Sequence, residues 1–168
     1  IRTRKGALSG GMLSMNTSAA DTDIDNECGF GIQGYAYFAS AHGQSYDGMV
    51  QLGCKFAQSG NTTLTHELGH AMNLYHTFEG DNNGNSCPSN TSCSSQGDRC
   101  CDTPPHIRSA SNCVTGTNSC DGGSSKELFI HNYMDYSFIY LCRAAAINEC
   151  SRVAVLRGAI QLRLRVLK

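Results

Sequence analysis

No apolar stretch in these 168 residues approaches the roughly 20 that a membrane-spanning helix needs, so no membrane span is expected. Charge of one sign is missing as well. Thirteen Lys and Arg against fourteen Asp and Glu leave a net charge of −1, and no basic surface for nucleic acid or match for a strongly acidic partner is expected. There is no CxxC pair, so the cysteines do not carry the common thiolate metal spacing. No internal repeat and no convincing linker divides the chain, whose length suits one domain with a real core. Finally, no basic segment followed by an apolar run and a small-residue cleavage site comes after Ile1, so a signal peptide is expected to have been removed or to lie outside this sequence.

Cysteine is abundant instead. Ten occur, six of them between Cys87 and Cys120, and they read as disulfides formed in an oxidising, extracellular or periplasmic compartment. Asn-x-Ser/Thr triplets stand at Asn16, Asn61 and Asn90 and matter only in a eukaryotic secretory protein. Residues 1–33 are rich in Gly, Ser, Asp and Asn and read as loop. Residues 34–38 and 48–53 are aromatic and β-branched, bounded by turn formers, and read as short strands. Leu64 to Tyr75 reads as the clearest helix, capped by Thr62 or Thr63, with an apolar stripe through Leu64, Leu68 and Met72. From Glu79 to Lys126 the chain is polar and dense in Cys, a loop too long for a compact domain unless disulfides staple it. Residues 144–168 read as a solvated terminal helix; a basic amphipathic membrane helix is the competing reading.

The chemistry concentrates in His66-Glu-Leu-Gly-His70-Ala-Met-Asn-Leu-Tyr-His76. Positions four apart on a helix lie about 40° from each other, so His66 and His70 share a face and can hold one zinc ion. Glu67 is too far round to ligate easily but is placed to reach a water on that metal as general base. His76 would be turned about 240° from the metal on a continuing helix, so the helix must break after His70. Asn73 stands where the break is needed, and Asn is the non-glycine residue that best tolerates a left-handed helix end. Surface histidines on an ordinary helix are the bland alternative, which the full spacing makes much less attractive. His42, His106 and His131 lack such spacing and read as structural.

At these residues the chain resembles the metzincin zinc metallopeptidases, whose HExxHxxGxxH is followed downstream by a methionine turn, here Asn132-Tyr-Met-Asp-Tyr136. The strings Leu74-Tyr-His-Thr-Phe78, Gly97-Asp98 and Asp102-Thr-Pro104 make it most similar to the pappalysin-like (cytophagalysin) branch, over roughly residues 34–142. The resemblance implies an α+β, metzincin-like fold: a small twisted mixed sheet, a zinc-binding active-site helix and an irregular disulfide-rich C-terminal subdomain. It implies one catalytic domain over residues 1–168, with 1–76 as upper and 77–168 as lower subdomain. Met134 would be a hydrophobic floor beneath the zinc, and Tyr136 would hydrogen-bond the developing oxyanion or the metal. Disulfides Cys87–Cys120 and Cys113–Cys142 are implied, as is calcium, for which Asp81, Asp98 and Asp102 could supply oxygens. A peptide substrate would pair with an exposed edge at residues 34–38, unless that strand is an ordinary buried one.

The implied protein is a secreted zinc-dependent endopeptidase acting on protein or peptide substrates, with no nucleic-acid partner; its oligomeric state is unknown. Three departures stand beside it. Asn73 replaces the usual Gly, only 65 residues precede His66, so the N-terminal part of the sheet is expected to be truncated or held elsewhere, and residues 137–150 fit the family pattern poorly. A catalytically silent secreted module that kept the zinc fold is the first alternative. A cystine-stapled adhesion or toxin domain with incidental histidines is the second.

Overall fold

The computed structural model describes residues 14–16 (backbone only), 32–53, 55, 58–92, 94–109 and 114–137. The terminal helix expected over 144–168, and Cys113 and Cys142 with their expected bridge, lie outside the described residues. The described residues fall into two compact units, one running to Asn73 and the other beginning at Leu74.

In the first unit a three-stranded sheet has the order β1-β3-β2, with β1 Ser14–Asn16, β2 Gly34–Ala36 and β3 Met49–Leu52. Strand β1 runs parallel to β3, with Ser14 opposite Val50, and β2 runs antiparallel to it, with Gly34 opposite Gln51, so the sheet is mixed. Strands β2 and β3 form where aromatic and β-branched residues predicted them. Strand β1 corrects the reading of residues 1–33 as loop. Its three residues Ser-Met-Asn carry no alternating pattern, and pairing to β3, not local propensity, makes them a strand.

One face of the sheet carries Met49 and Gln51, both buried, and α1 (Thr63–Ala71) packs against β2 and β3. The helix begins differently from its prediction. Neither Thr62 nor Thr63 caps it with its hydroxyl; Asn61 Oδ1 accepts the Thr63 backbone N–H at 3.0 Å and also receives Gln51 Nε2 at 3.4 Å. One half-buried amide thus ties the helix start to the sheet. The apolar stripe does not carry the burial either. Leu68 is 43% exposed, whereas Glu67 and His70 are buried, so the helix turns its functional face inward.

The second unit has little regular structure. A two-stranded antiparallel pair, β4 Thr117–Asn118 with β5 Ser124–Ser125, is followed by a single 3₁₀ turn over Lys126–Leu128. Its apolar centre is Leu74, Phe78, Phe129, Ile130 and Met134. The His106 ring stacks on Phe129 with centroids 3.6 Å apart, a buried structural role. Polar side chains organise the long loop. Asp98 accepts Cys100 N–H at 2.9 Å and the Thr103 hydroxyl at 2.6 Å, and Asn118 Nδ2 donates to the Pro105 carbonyl at 2.9 Å. The Cys87–Cys120 disulfide closes a loop of 33 residues, and Cys100 and Cys101 are also disulfide-bonded. Closing a loop of that length removes about 3 to 4 kcal/mol of unfolded-chain entropy. That is how so polar a stretch holds one shape.

Candidate metal centre

Helix α1 ends where the third histidine requires. Met72 N–H still reaches back to Leu68 and Gly69 carbonyls, Asn73 N–H donates to His70 O at 2.8 Å, and Asn73 then takes φ +76°. A left-handed residue at this place turns the chain back after about two and a half helical turns. The turn brings His76 toward His66 and His70, and one nitrogen from each of the three rings lies within 4.8 Å of the others. Among the described residues this is the group of His, Cys, Asp and Glu side chains arranged to hold a metal. The donor chemistry, three imidazoles and no thiolate, fits zinc with a position left open.

Each ring is held by neighbours. His66 and His70 meet edge to face at 4.8 Å, and Phe38 packs edge-on against His70 at 5.5 Å. His76 stacks on Phe78 at 4.8 Å with planes 9° apart and meets Tyr136 at 4.9 Å. Tyr136 packs on Phe78 at 4.6 Å and is 44% exposed, so one aromatic cluster carries both His76 and Tyr136. Met134 is 1% exposed, and its carbonyl accepts Thr77 N–H at 3.2 Å, immediately after His76. Asn132 Oδ1 accepts Met134 N–H at 2.9 Å and shapes that turn.

Glu67 is 5% exposed, and its Oε2 has no hydrogen-bond partner. Burial pushes its carboxyl up to about 7, near the value that suits a general base at neutral pH. A dication held beside it would favour the carboxylate and draw that value down again.

Two residues that the sequence did not join support the cluster: Asp81, considered only for calcium, and Arg108, which no motif singled out. Arg108 donates from Nε to Asp81 Oδ2 and from Nη2 to Asp81 Oδ1, both at 2.7 Å, and its backbone N–H also reaches Oδ2 at 3.1 Å. The guanidinium lies 5.0 Å over the Phe78 ring and 5.8 Å from that of Tyr136. Asp81 and Arg108 are 27 positions apart with no motif joining them, so no sequence signal could have paired them.

The Arg108 hydrogen bonds hold the Asp81 carboxyl down to about 2, against an ordinary 3.8. A depressed carboxylate stabilises the fold above its unfolded value, and that stability is lost as pH falls from about 4 through 2. The shift corresponds to roughly 2 kcal/mol. Asp81→Asn should therefore unfold at lower urea than wild type at pH 7, with the gap narrowing between pH 4 and 2; a pH-independent gap contradicts the linkage. Asp98 behaves oppositely. Burial raises its carboxyl to about 6, so its ionisation weakens the fold as pH rises from about 4 through 6.

Two imidazoles one helical turn apart, with a third delivered by a left-handed break, form the kind of centre that metzincin metallopeptidases carry. Residues 33–149 match the Peptidase_M43 family, described as pregnancy-associated plasma protein-A, and the chain belongs to that family. It is similar to Extracellular metalloprotease 1 of Coccidioides posadasii, 37% identical over 118 residues, covering 64% of this chain and 38% of the relative. An Extracellular metalloprotease of Arthroderma otae is 37% identical over 122 residues, with 66% and 40% covered. The chain thus spans about two fifths of the length of these curated relatives. Its fold is similar to that of mature mirolysin of Tannerella forsythia in complex with a cleaved peptide, with a TM-score of 0.60 at 24% identity, covering 88% of this chain and 52% of that one.

Proposed function

We propose that the chain is the catalytic part of a secreted zinc-dependent endopeptidase, with His66, His70 and His76 holding the metal and Glu67 as general base. The observation that carries the reading is the convergence of three imidazole nitrogens within 4.8 Å, two of them on the helix that also carries buried Glu67. Zinc, when bound, supplies a Lewis acid that acidifies a water and polarises a carbonyl. Glu67 takes the proton of the attacking water and passes it to the leaving amine. The Tyr136 hydroxyl, on a ring packed against His76, donates to the carbonyl oxygen as negative charge develops there.

The substrate pairs with β2. Gln33 O and Tyr37 N bond toward β3, so by strand alternation the backbone groups of Gly34 and Ala36 face the other edge. Among the described residues no strand covers that edge, and an extended peptide can add to it. Secretion agrees with the extracellular names of the relatives and with the disulfides. No helix among the described residues is long and apolar enough to cross a membrane. Of the three carboxylates considered for calcium, Asp81 already accepts from Arg108 and Asp98 from Cys100 N–H and the Thr103 hydroxyl, and the proposal is made for zinc alone.

The test is hydrolysis of a quenched-fluorescence peptide library by the purified chain. Cleavage should stop with a zinc chelator and return with added zinc. A chain that binds one zinc but cleaves nothing is instead a silent module that kept the fold.

A further inference from the structure

Gly34 sits inside strand β2, where glycine is the least helpful residue: it adds no side chain to the sheet and loses the most chain entropy on folding. Its backbone is extended, outside the left-handed region, so conformation does not demand glycine here. Space does. A Cβ built at Gly34 would lie 3.0 Å from both Cγ and Oε1 of Glu67, and 2.9 Å from the Val50 carbonyl oxygen of the paired strand. The buried Oε2 of the same carboxylate makes no hydrogen bond, so no donor at that atom fixes the side chain. Packing against the bare backbone of β2 takes over that task.

We propose that Gly34 is a positioning residue for Glu67, the missing side chain being what lets the carboxylate settle against the sheet. The proposal rests on the reading of Glu67 as general base. A methyl group at position 34 displaces the Glu67 carboxylate, and displacement of a catalytic group by about 1 Å can lower turnover on the order of 100-fold. The strand edge on which a peptide would lie presents its backbone, so substrate binding changes less than turnover.

Two measurements on the full chain separate this from a merely structural glycine. In the kinetic one, Gly34→Ala should lower kcat on the order of 100-fold, with KM within about threefold and zinc content unchanged. The same substitution should have a much smaller effect on kcat in a Glu67→Asp background, where the carboxylate is withdrawn by one methylene. In the thermal one, Gly34→Ala should lower Tm clearly in the wild-type chain and less in a Glu67→Ala background. Equal Tm losses in both backgrounds, a rise in KM without loss of kcat, or failure to fold in both backgrounds would assign the glycine to strand pairing against Val50 and overturn the proposal. The Tm comparison reads the contact even in a chain that cleaves nothing, so an inactive wild type sinks the peptidase reading and not the Gly34–Glu67 coupling.

Discussion

Glu67→Gln should leave the zinc content at one per chain and reduce kcat on peptide substrates by about 100- to 10,000-fold, the usual contribution of a positioned general base. Glutamine keeps the shape of the side chain and its fit against β2, so the loss reports proton transfer rather than folding. The position is also costly to the fold. Glu67 is buried with Oε2 unpartnered, an arrangement that disfavours its charged form, so in the zinc-free chain the neutral glutamine should be at least as stable as wild type at neutral pH. A variant that loses no stability when stripped of zinc, holds zinc when supplied and barely turns over is the expected signature. Unchanged turnover removes Glu67 from the mechanism.

The second large effect concerns the delivery of His76. His76→Ala leaves two imidazoles on α1 and should weaken zinc binding by more than about 100-fold, beyond what loss of an outer partner does. The companion substitution at Asn73 is more informative. Asn73 takes φ +76°, which glycine adopts freely and a β-branched residue does not. Asn73→Gly should keep both zinc and activity. Asn73→Val should strain the turn by about 1 to 2 kcal/mol and weaken zinc binding, although residue 73 touches no metal. Isothermal titration of zinc into the chelator-stripped variants checks both, and equal affinities for the Gly and Val variants contradict the role given to the turn.

These residues show what local order in a chain can carry. The helix bearing His66 and His70, and the break at Asn73, follow from spacing of 3.6 residues per turn and one residue's tolerance of positive φ. Both are properties of an eleven-residue string. Strands β2 and β3 were legible for a similar reason, since their composition differs from the loops around them. The supports of the site were not. The Asp81–Arg108 pair spans 27 positions, Asn61 displaces the threonines as cap through a contact with Gln51, and Gly34 meets Glu67 across a gap of 33 positions. Each depends on which surfaces pack together, and that is decided by the fold as a whole. Strand β1 belongs with them, because pairing with β3 rather than its own residues makes it a strand. The Cys87–Cys120 bridge came from resemblance, since spacing alone left its partners open.

The peptidase chemistry depends on one zinc ion held by His66, His70 and His76. X-ray absorption at the zinc edge, on protein dialysed free of loose metal and compared with His76→Ala, tests this most directly. One zinc per chain with three imidazole nitrogens and no sulfur, lost on His76→Ala, is the predicted result. A chain without stoichiometric zinc, or with zinc bound through cysteine sulfur, contradicts it.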